Sequence, residues 1–302
     1  MPAAFRIIDT GVREGRANIA FDAALIEERQ AGRVPDTIRF LSFPPTALIG
    51  RHQDLSREID LDYCEKQGVG TVRRITGGGA IYLDEGQLGW ELVFHRASLG
   101  VAALPDLAEK ICNAAALGFR ELRVDAKFRP RNDIEVDGRK ISGTGGFFDG
   151  DVLIYQGTVL VDMNSQQMVS ALNIPQAKLA KRELDSAAQR VVTLKELLGD
   201  GLPDIETIRA ALIKGFTEGL SIEAIAGEIT ENEEKAFVRQ LHMAEERKLP
   251  IMKHKPHRNK RKGVERIIEI LKAEGITMER VDIDHNTEDT IDLVAPLDCW
   301  AG

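Results

Sequence analysis

RRITGGGAIYLDEG, Arg73 to Gly86, is the stretch that decides the fold. Three consecutive glycines stand between β-branched, strand-forming residues. That choice costs conformational entropy, and a sheet makes it where backbone must approach something closely or take positive φ. Gly77, Gly78 and Gly79 expose N–H groups suited to an anion, and Arg73 and Arg74 immediately before them add forked cationic donors that match a carboxylate or phosphate. The stretch therefore predicts strand, turn, strand, with a phosphate or acyl-phosphate cradle at the turn. The alternative is a plain glycine-rich hairpin with solvated arginines, since glycine loops alone are common.

Upstream, LDYCEKQG predicts a short helix closed by Gly68, with a strand through Val72. IRFLSFPPTALIG, residues 38–50, reads as two strands interrupted by Pro44 and Pro45. Before it, Ala20, Phe21, Ala24, Leu25 and Glu28 recur at helical spacing, and Phe5 to Ile8 is strand-like. Downstream, a helix is expected over 106–119, then strands across 133–160 with a hairpin at Asp137-Gly138 and a further turn at Gly143 to Gly146. Helices are expected from about 165 to 247, broken at Pro175 and around Gly199 to Pro203. The basic stretch PIMKHKPHRNKRK, 250–262, is expected as a linker or loop. The tail offers a helix, Val264 to Ala273, and strands at Glu279 to Ile283 and Thr290 to Val294. Strands mixed with segregated helices give an α+β fold: a catalytic-sized unit over 1–250 and a small C-terminal α/β segment over 251–302.

A second cluster sits in RNDIEVDGRKISGTGG, Arg131 to Gly146. Lys140 follows the Asp-Gly turn, where its ammonium can project over a neighbouring site as a point charge. Asn132 and Asp133 supply oxygen atoms of the kind that hold a nucleotide or Mg²⁺. A surface lysine after a hairpin turn is by itself usually only solvated.

Composition narrows the classes. The chain of 302 residues carries 40 Lys and Arg against 48 Asp and Glu, a formal net charge of −8, which argues against nonspecific nucleic-acid or membrane binding by the whole chain. No secretory signal and no run of about 18 apolar residues is present, so a cytoplasmic protein is expected. Cys64, Cys112 and Cys299 are scattered and form no zinc-like spacing. His254 and His257 are three apart, but Pro256 between them disfavours a helical metal pair.

The spaced blocks NIAFDAAL, PPTALIGRHQD, RRITGGGAIYLDEG, RNDIEVDGRKISGT, YQGTVLVDMN and RVVTLKELL occur in an order that resembles the lipoate–protein ligase family, within the biotin and lipoate ligase and octanoyltransferase superfamily. The resemblance runs from Ala17 to about Leu198, roughly 60% of the chain. It implies a biotin/lipoate-ligase-like domain that uses ATP and Mg²⁺ to convert lipoate, or octanoate, to an acyl-adenylate and passes the acyl group to a lysine of a lipoyl carrier protein. The carrier would be a lipoyl domain, an H protein or a dedicated lipoate-binding protein.

By position in the motifs, Lys140 is then the catalytic residue. Arg73, the Gly77 to Gly79 amides, Ala80 and His52 are on the acyl side. Asn132, Asp133, Gly143 and Thr144 are on the nucleotide side, with Asp133 facing Mg²⁺. Relatives that transfer acyl groups from a carrier protein use a cysteine thioester, and neither glycine-rich stretch contains one. Leu83 and Gln156 stand where family members commonly carry His, and Gln87 where they carry Asn. Leu83 would line an apolar pocket. The family often needs an accessory domain, fused or separate, and residues 251–302 are the candidate for it. The Lys253 to Lys262 run is a solvated loop or a rim that docks an acidic carrier. Competing readings are a carrier-dependent acyltransferase, a biotin ligase and a non-catalytic lipoyl-binding protein.

Overall fold

The computed structural model describes residues 2–100, 103–173, 190–231, 235, 238, 251–253, 260–276, 278, 281–283, 291–294, 296, 297, 300 and 301. Strand β1 (Ala3–Val12) leads into helix α1 (Gly15–Gln30), whose first turn is capped by the Glu14 carboxylate accepting from the N–H groups of Arg16 and Ala17. There follow β2 (Thr37–Ser42), β3 (Thr46–Ile49), α2 (Leu55–Glu58), α3 (Leu61–Gln67), β4 (Gly70–Arg73), β5 (Ile81–Leu83) and β6 (Gln87–His95). Next come α4 (Leu104–Glu121), β7 (Lys127–Arg129), β8 (Asp133–Val136), β9 (Arg139–Asp149), β10 (Val152–Leu160), α5 (Ser165–Ala171), α6 (Leu194–Leu198), α7 (Ile205–Leu220) and β11 (Ile222–Ala226).

Two sheets result: a mixed eight-stranded sheet in the order β11-β1-β2-β6-β10-β9-β8-β7, and a three-stranded sheet β4-β3-β5. Mixed sheets flanked by helices are the architecture the sequence leads one to expect. Strand alternation divides the large sheet cleanly. Phe5, Ile38, Phe40, Trp90, Leu92, Leu153 and Tyr155 face α4 and α7 in the main core. Ile8, Val93, Val152 and Ile154 face Phe21, Leu25 and Ile26 of α1.

Helix α4 forms because Leu107, Ala108, Ile111, Cys112, Ala115 and Phe119 recur at three- and four-residue spacing and all are buried. Each large apolar side chain so buried contributes about 1.5–3 kcal/mol. The Asp137-Gly138 hairpin is as expected: both residues take positive φ, 49° and 77°, as a two-residue turn between twisted strands requires.

Four expectations are corrected. Gly143 to Gly146 is not a turn; it lies within the continuous strand β9. Residues 222–226 are not helical but form β11, parallel to β1, after α7 ends at Ser221 with φ 56°. The stretch expected as a linker opens with a strand, β12 (Ile251–Lys253). Residues 291–294 form a helical turn rather than a strand.

The last two corrections share a cause. β12, β13 (Val281–Ile283) and β14 (Trp300–Ala301) run parallel, and parallel strands need crossovers. Helix α8 (Lys260–Ala273) and α9 (Ile291–Val294) lie in those crossovers. Their Val264, Ile268, Leu271 and Val294 bury with Ile276 and Val281 in a separate small cluster. The break expected at Pro175, the His254 and His257 pair and Cys299 lie outside the described residues, as does most of the helical run expected beyond residue 231. Among the described residues no helix is long and apolar enough to cross a membrane.

Candidate functional site

A cavity of about 480 Å³ opens on the α1 side of the large sheet, walled by the small sheet, by the segment from Arg74 to Leu83 and by Met163 and Met168 at α5. Its interior is apolar, with Ile19, Leu41, Phe43, Leu48, Leu83 and Leu160 among its lining. Lys140, the exposed Gly78 and Gly79, and Ile81 mark its rim.

Lys140 reaches the cavity through an irregularity in β9. Ser142 lies opposite Ile134 and Lys140 opposite Glu135, so Ile141 is an extra residue on the β9 side. Strict alternation would put Lys140 on the face of Ser142, which is fully buried; the bulge turns it to the face of Gly143 instead. Its Nζ lies 2.7 Å from Asp133 Oδ1. Gly143 is what makes room: a Cβ there would lie 2.7 Å from both Cε and Nζ of Lys140. The Lys140 backbone is held from the other side, its N–H donating to Arg190 O and its carbonyl accepting from Val192 N–H.

Asn132 Nδ2 donates to the Thr144 carbonyl, while Thr144 donates its N–H and hydroxyl to the Asn132 carbonyl. Both residues line the cavity. The Asn132 amide thereby fixes the strand beside Lys140. Asp133 is absent from the lining and touches the site through the lysine.

The two arginines part company. Arg73 Nη1 donates to the carbonyls of Gly50, Arg51 and Gln53, so it ties down the loop after β3 and does not line the cavity. Arg74 lines it. Its Nη2 donates to the Gly77 and Gly79 carbonyls, and its buried Nη1 has no partner among the described residues. Burial holds the Arg74 pKa below its usual value. A desolvated guanidinium with an unpaired donor is a strong anion ligand.

Gly78 takes φ 102°, and its carbonyl comes so near Gly50 that a Cβ on Gly50 would lie 2.0 Å from it. The glycine turn is thus pressed against the loop that Arg73 holds. Gly78, Gly79 and Ala80 line the cavity; Gly77 and the exposed His52 do not.

The deepest polar group has little sequence signature. Arg39, fully buried, donates from Nη1 to Asp22 Oδ1 (2.7 Å) and Glu91 Oε1 (2.9 Å), from Nη2 to Asn18 Oδ1 and from Nε to Thr10 Oγ1. Its guanidinium also lies 4.5 Å from the Phe21 ring centroid. Burial first, and Glu91 second, push the Asp22 carboxyl up to about 8 against the opposing pull of Arg39. The available signals were Arg39 and Glu91 standing alone in apolar strands, and Asn18 and Asp22 four apart on the buried helix face.

No cysteine among the described residues lines the cavity. Cys112 Sγ is fully buried behind Thr144, 3.4 Å from its Oγ1 and 3.5 Å from the Tyr155 hydroxyl, and burial raises its pKa. Burial likewise raises Cys64.

Comparisons with known proteins bear on the family and the fold. Residues 14–217 match the family model described as the lipoyl protein ligase A/B catalytic domain. The octanoyltransferase LipM of Moorella thermoacetica is 28% identical over 255 residues, covering 77% of this chain and 93% of that protein. Among solved structures, the bi-partite lipoate protein ligase of Thermoplasma acidophilum superposes with TM-score 0.70 at 28% identity, covering 80% of this chain and 92% of that one. A lipoate-protein ligase A bound with ATP superposes with TM-score 0.68 at 27% identity, covering 80% and 94%. With more than half its length matched by that model, the chain belongs to the lipoyl protein ligase A/B catalytic-domain family.

Proposed function

We propose that this chain is an ATP-dependent lipoate–protein ligase. The acid carboxylate attacks the α-phosphorus of ATP, pyrophosphate leaves, and the ε-amine of a carrier lysine then attacks the acyl carbon and releases AMP. The observation that carries the reading is a cation-rimmed apolar cavity with no thiol among its described lining residues. An adenylate route needs preorganised positive charge and no protein nucleophile; a thioester route needs an accessible thiolate.

In both steps negative charge grows on the acyl oxygen and the phosphate. Lys140 Nζ stabilises it from one side; the Arg74 guanidinium and the amides of Gly78 to Ala80 do so from the other. Arg74 takes the carboxylate-binding part that the sequence assigned to Arg73. The acyl chain lies over Leu41, Phe43, Leu48 and Leu83.

For Mg²⁺ the residues fit a loosely held ion. No three His, Cys, Asp or Glu side chains converge among the described residues, and Asp133 is the carboxylate beside Lys140. Magnesium is commonly held by one or two carboxylates together with substrate phosphates. There it supplies charge neutralisation on the triphosphate. The acceptor is a lipoyl carrier protein, and residues 251–302 are an accessory-like segment that assists activation.

One finding favours a second reading. Relatives named octanoyltransferase LipM match most of the chain, which supports acyl transfer from a carrier protein. Intact-mass spectrometry of a lipoyl domain separates the two readings, using lipoate with and without Mg·ATP, octanoyl carrier protein as the alternative donor, and Lys140→Ala. A lipoyl mass gain that needs ATP and Lys140 is expected. ATP-independent gain from octanoyl carrier protein alone would establish the second reading instead.

A further inference from the structure

The floor of the cavity beside Lys140 is a single row of residues on four neighbouring strands. Leu41 on β2 lies opposite Gly89 on β6, and Gly89 lies opposite Thr158 on β10. β10 and β9 pair as far as Gly157 with Thr144, which sets the next residue of each strand, Thr158 and Gly143, side by side. All four residues of the row line the cavity. Each glycine is roofed by another residue's side chain. A Cβ on Gly89 would lie 2.9 Å from Leu41 Cγ, and one on Gly143 would lie 2.7 Å from Lys140 Nζ. Hydrocarbon therefore covers one side of Thr158 and an ammonium the other, and between them only Thr158 raises a side chain of its own.

That position is where a bound acyl group changes character. Its alkyl part belongs over Leu41 and its carboxyl end beside Lys140, so the acyl carbon falls over Thr158. The Thr158 hydroxyl has no hydrogen-bond partner among the described residues, and it is not sealed from solvent as Trp90 Nε1 and Ser142 Oγ are. With a strand on either side of β10, the space it opens to is the cavity. Gln156, two residues earlier on the same face, already donates from Nε2 to Asp22 and Glu91. The hydroxyl of Thr158 has one hydrogen to give, and an acyl oxygen over it is an acceptor.

We infer that Thr158 is a further catalytic residue, its hydroxyl donating to the acyl oxygen while the carrier amine attacks. The inference rests on the ligase reading of the site. In that step the amine nitrogen bonds to the acyl carbon and the carbonyl electron pair moves onto oxygen. Its return expels AMP with the C–O bonding pair, and the surplus amine proton passes to water. Lys140 supplies positive charge to the oxyanion from one side, and Thr158 supplies a directed hydrogen bond from the sheet. That bond strengthens as the oxygen gains charge, so it lowers the barrier more than it tightens binding.

The test is acyl transfer from supplied lipoyl-AMP to a lipoyl domain, by the full chain and by two variants. Thr158→Val keeps the branched shape and removes the hydroxyl; Thr158→Ser keeps the hydroxyl. Expected is a fall in kcat of about 10²-fold in Thr158→Val, the cost of one oxyanion donor. KM for lipoyl-AMP should stay within about three-fold, and Thr158→Ser should recover to within about ten-fold of wild-type kcat. A wild-type kcat in Thr158→Val overturns the inference, and so does a raised KM with kcat kept, the signature of a pocket wall. Equal loss in the serine and valine variants also overturns it, since shape rather than the hydroxyl then matters. A wild type that transfers nothing from lipoyl-AMP overturns the ligase reading itself, and the inference with it. Should the valine variant fail to fold, Thr158→Ala carries the same expectation.

Discussion

Gly143→Ala isolates the placement of Lys140 from its chemistry. The new Cβ would stand 2.7 Å from Lys140 Cε and Nζ, against the roughly 3.5–4.0 Å that such contacts need, so the ammonium must retreat by about 1 Å. The atoms that must move are the far end of a flexible side chain, 37% exposed, so the strain is relieved by rotamer change. Two small effects on stability then nearly cancel. Gly→Ala in extended backbone gains about 0.4–1 kcal/mol through the unfolded state, and loosening a part-exposed ion pair costs about 0–1 kcal/mol. Tm should therefore stay within about 3 °C.

Catalysis should not be spared. A misplacement of about 1 Å in a charge-stabilising group can cost about 10²-fold, or roughly 2.7 kcal/mol of barrier. The assays are lipoate-dependent ATP–pyrophosphate exchange and acyl transfer from supplied lipoyl-AMP, with thermal unfolding alongside. Both half-reactions should fall, because the same cation serves both. An unchanged kcat/KM in either would refute the placement of Lys140.

Arg74→Ala should raise KM for the acid at least about ten-fold, about 1.4 kcal/mol. Arg73→Ala, which releases three backbone carbonyls, should lower Tm by a few degrees with less effect on acid binding; the reverse pattern in steady-state kinetics and melting would exchange their roles. Asp22 has its pKa raised to about 8 in the folded chain, so between pH 4 and 8 the folded state holds a proton that the unfolded state has lost, and stability falls as pH rises through that window. Asp22→Asn should flatten this slope in urea melts followed from pH 5 to 8, and parallel curves for the two proteins would count against a protonated Asp22. Finally, Cys64→Ala combined with Cys112→Ser should retain ATP-dependent transfer; loss of transfer, with a hydroxylamine-sensitive acyl adduct on Cys112 in the wild type, would favour the thioester route.

Particular residues show where the sequence was enough. Local patterns carried α4, the Asp137-Gly138 hairpin and the glycine turn, because each depends on backbone preferences or spacing within a few residues. Ordered motif blocks carried the family, and with it Lys140, Asn132 and Thr144, which the fold brings to one cavity.

The glycines of β9 misled because the chemistry of a turn and the chemistry of close approach use the same residue. Here one glycine admits a lysine side chain and another leaves a strand bare beside Gln156. β11 was missed because its partner, β1, lies more than two hundred residues away in the chain.

By itself, then, the sequence determined the elements whose signals are local, the small and charged residue types at the site, and the family. Tertiary structure decided which way those residues point. Strand register is set by pairing across the sheet, so a single extra residue at Ile141 brings Lys140 out of the core and onto the cavity. Neighbouring arginines on one short stretch diverge, Arg73 to a loop and Arg74 to the site. Asp22, Arg39, Glu91 and Gln156 span 134 positions of sequence, and they become one hydrogen-bonded row only when three strands and a helix pack.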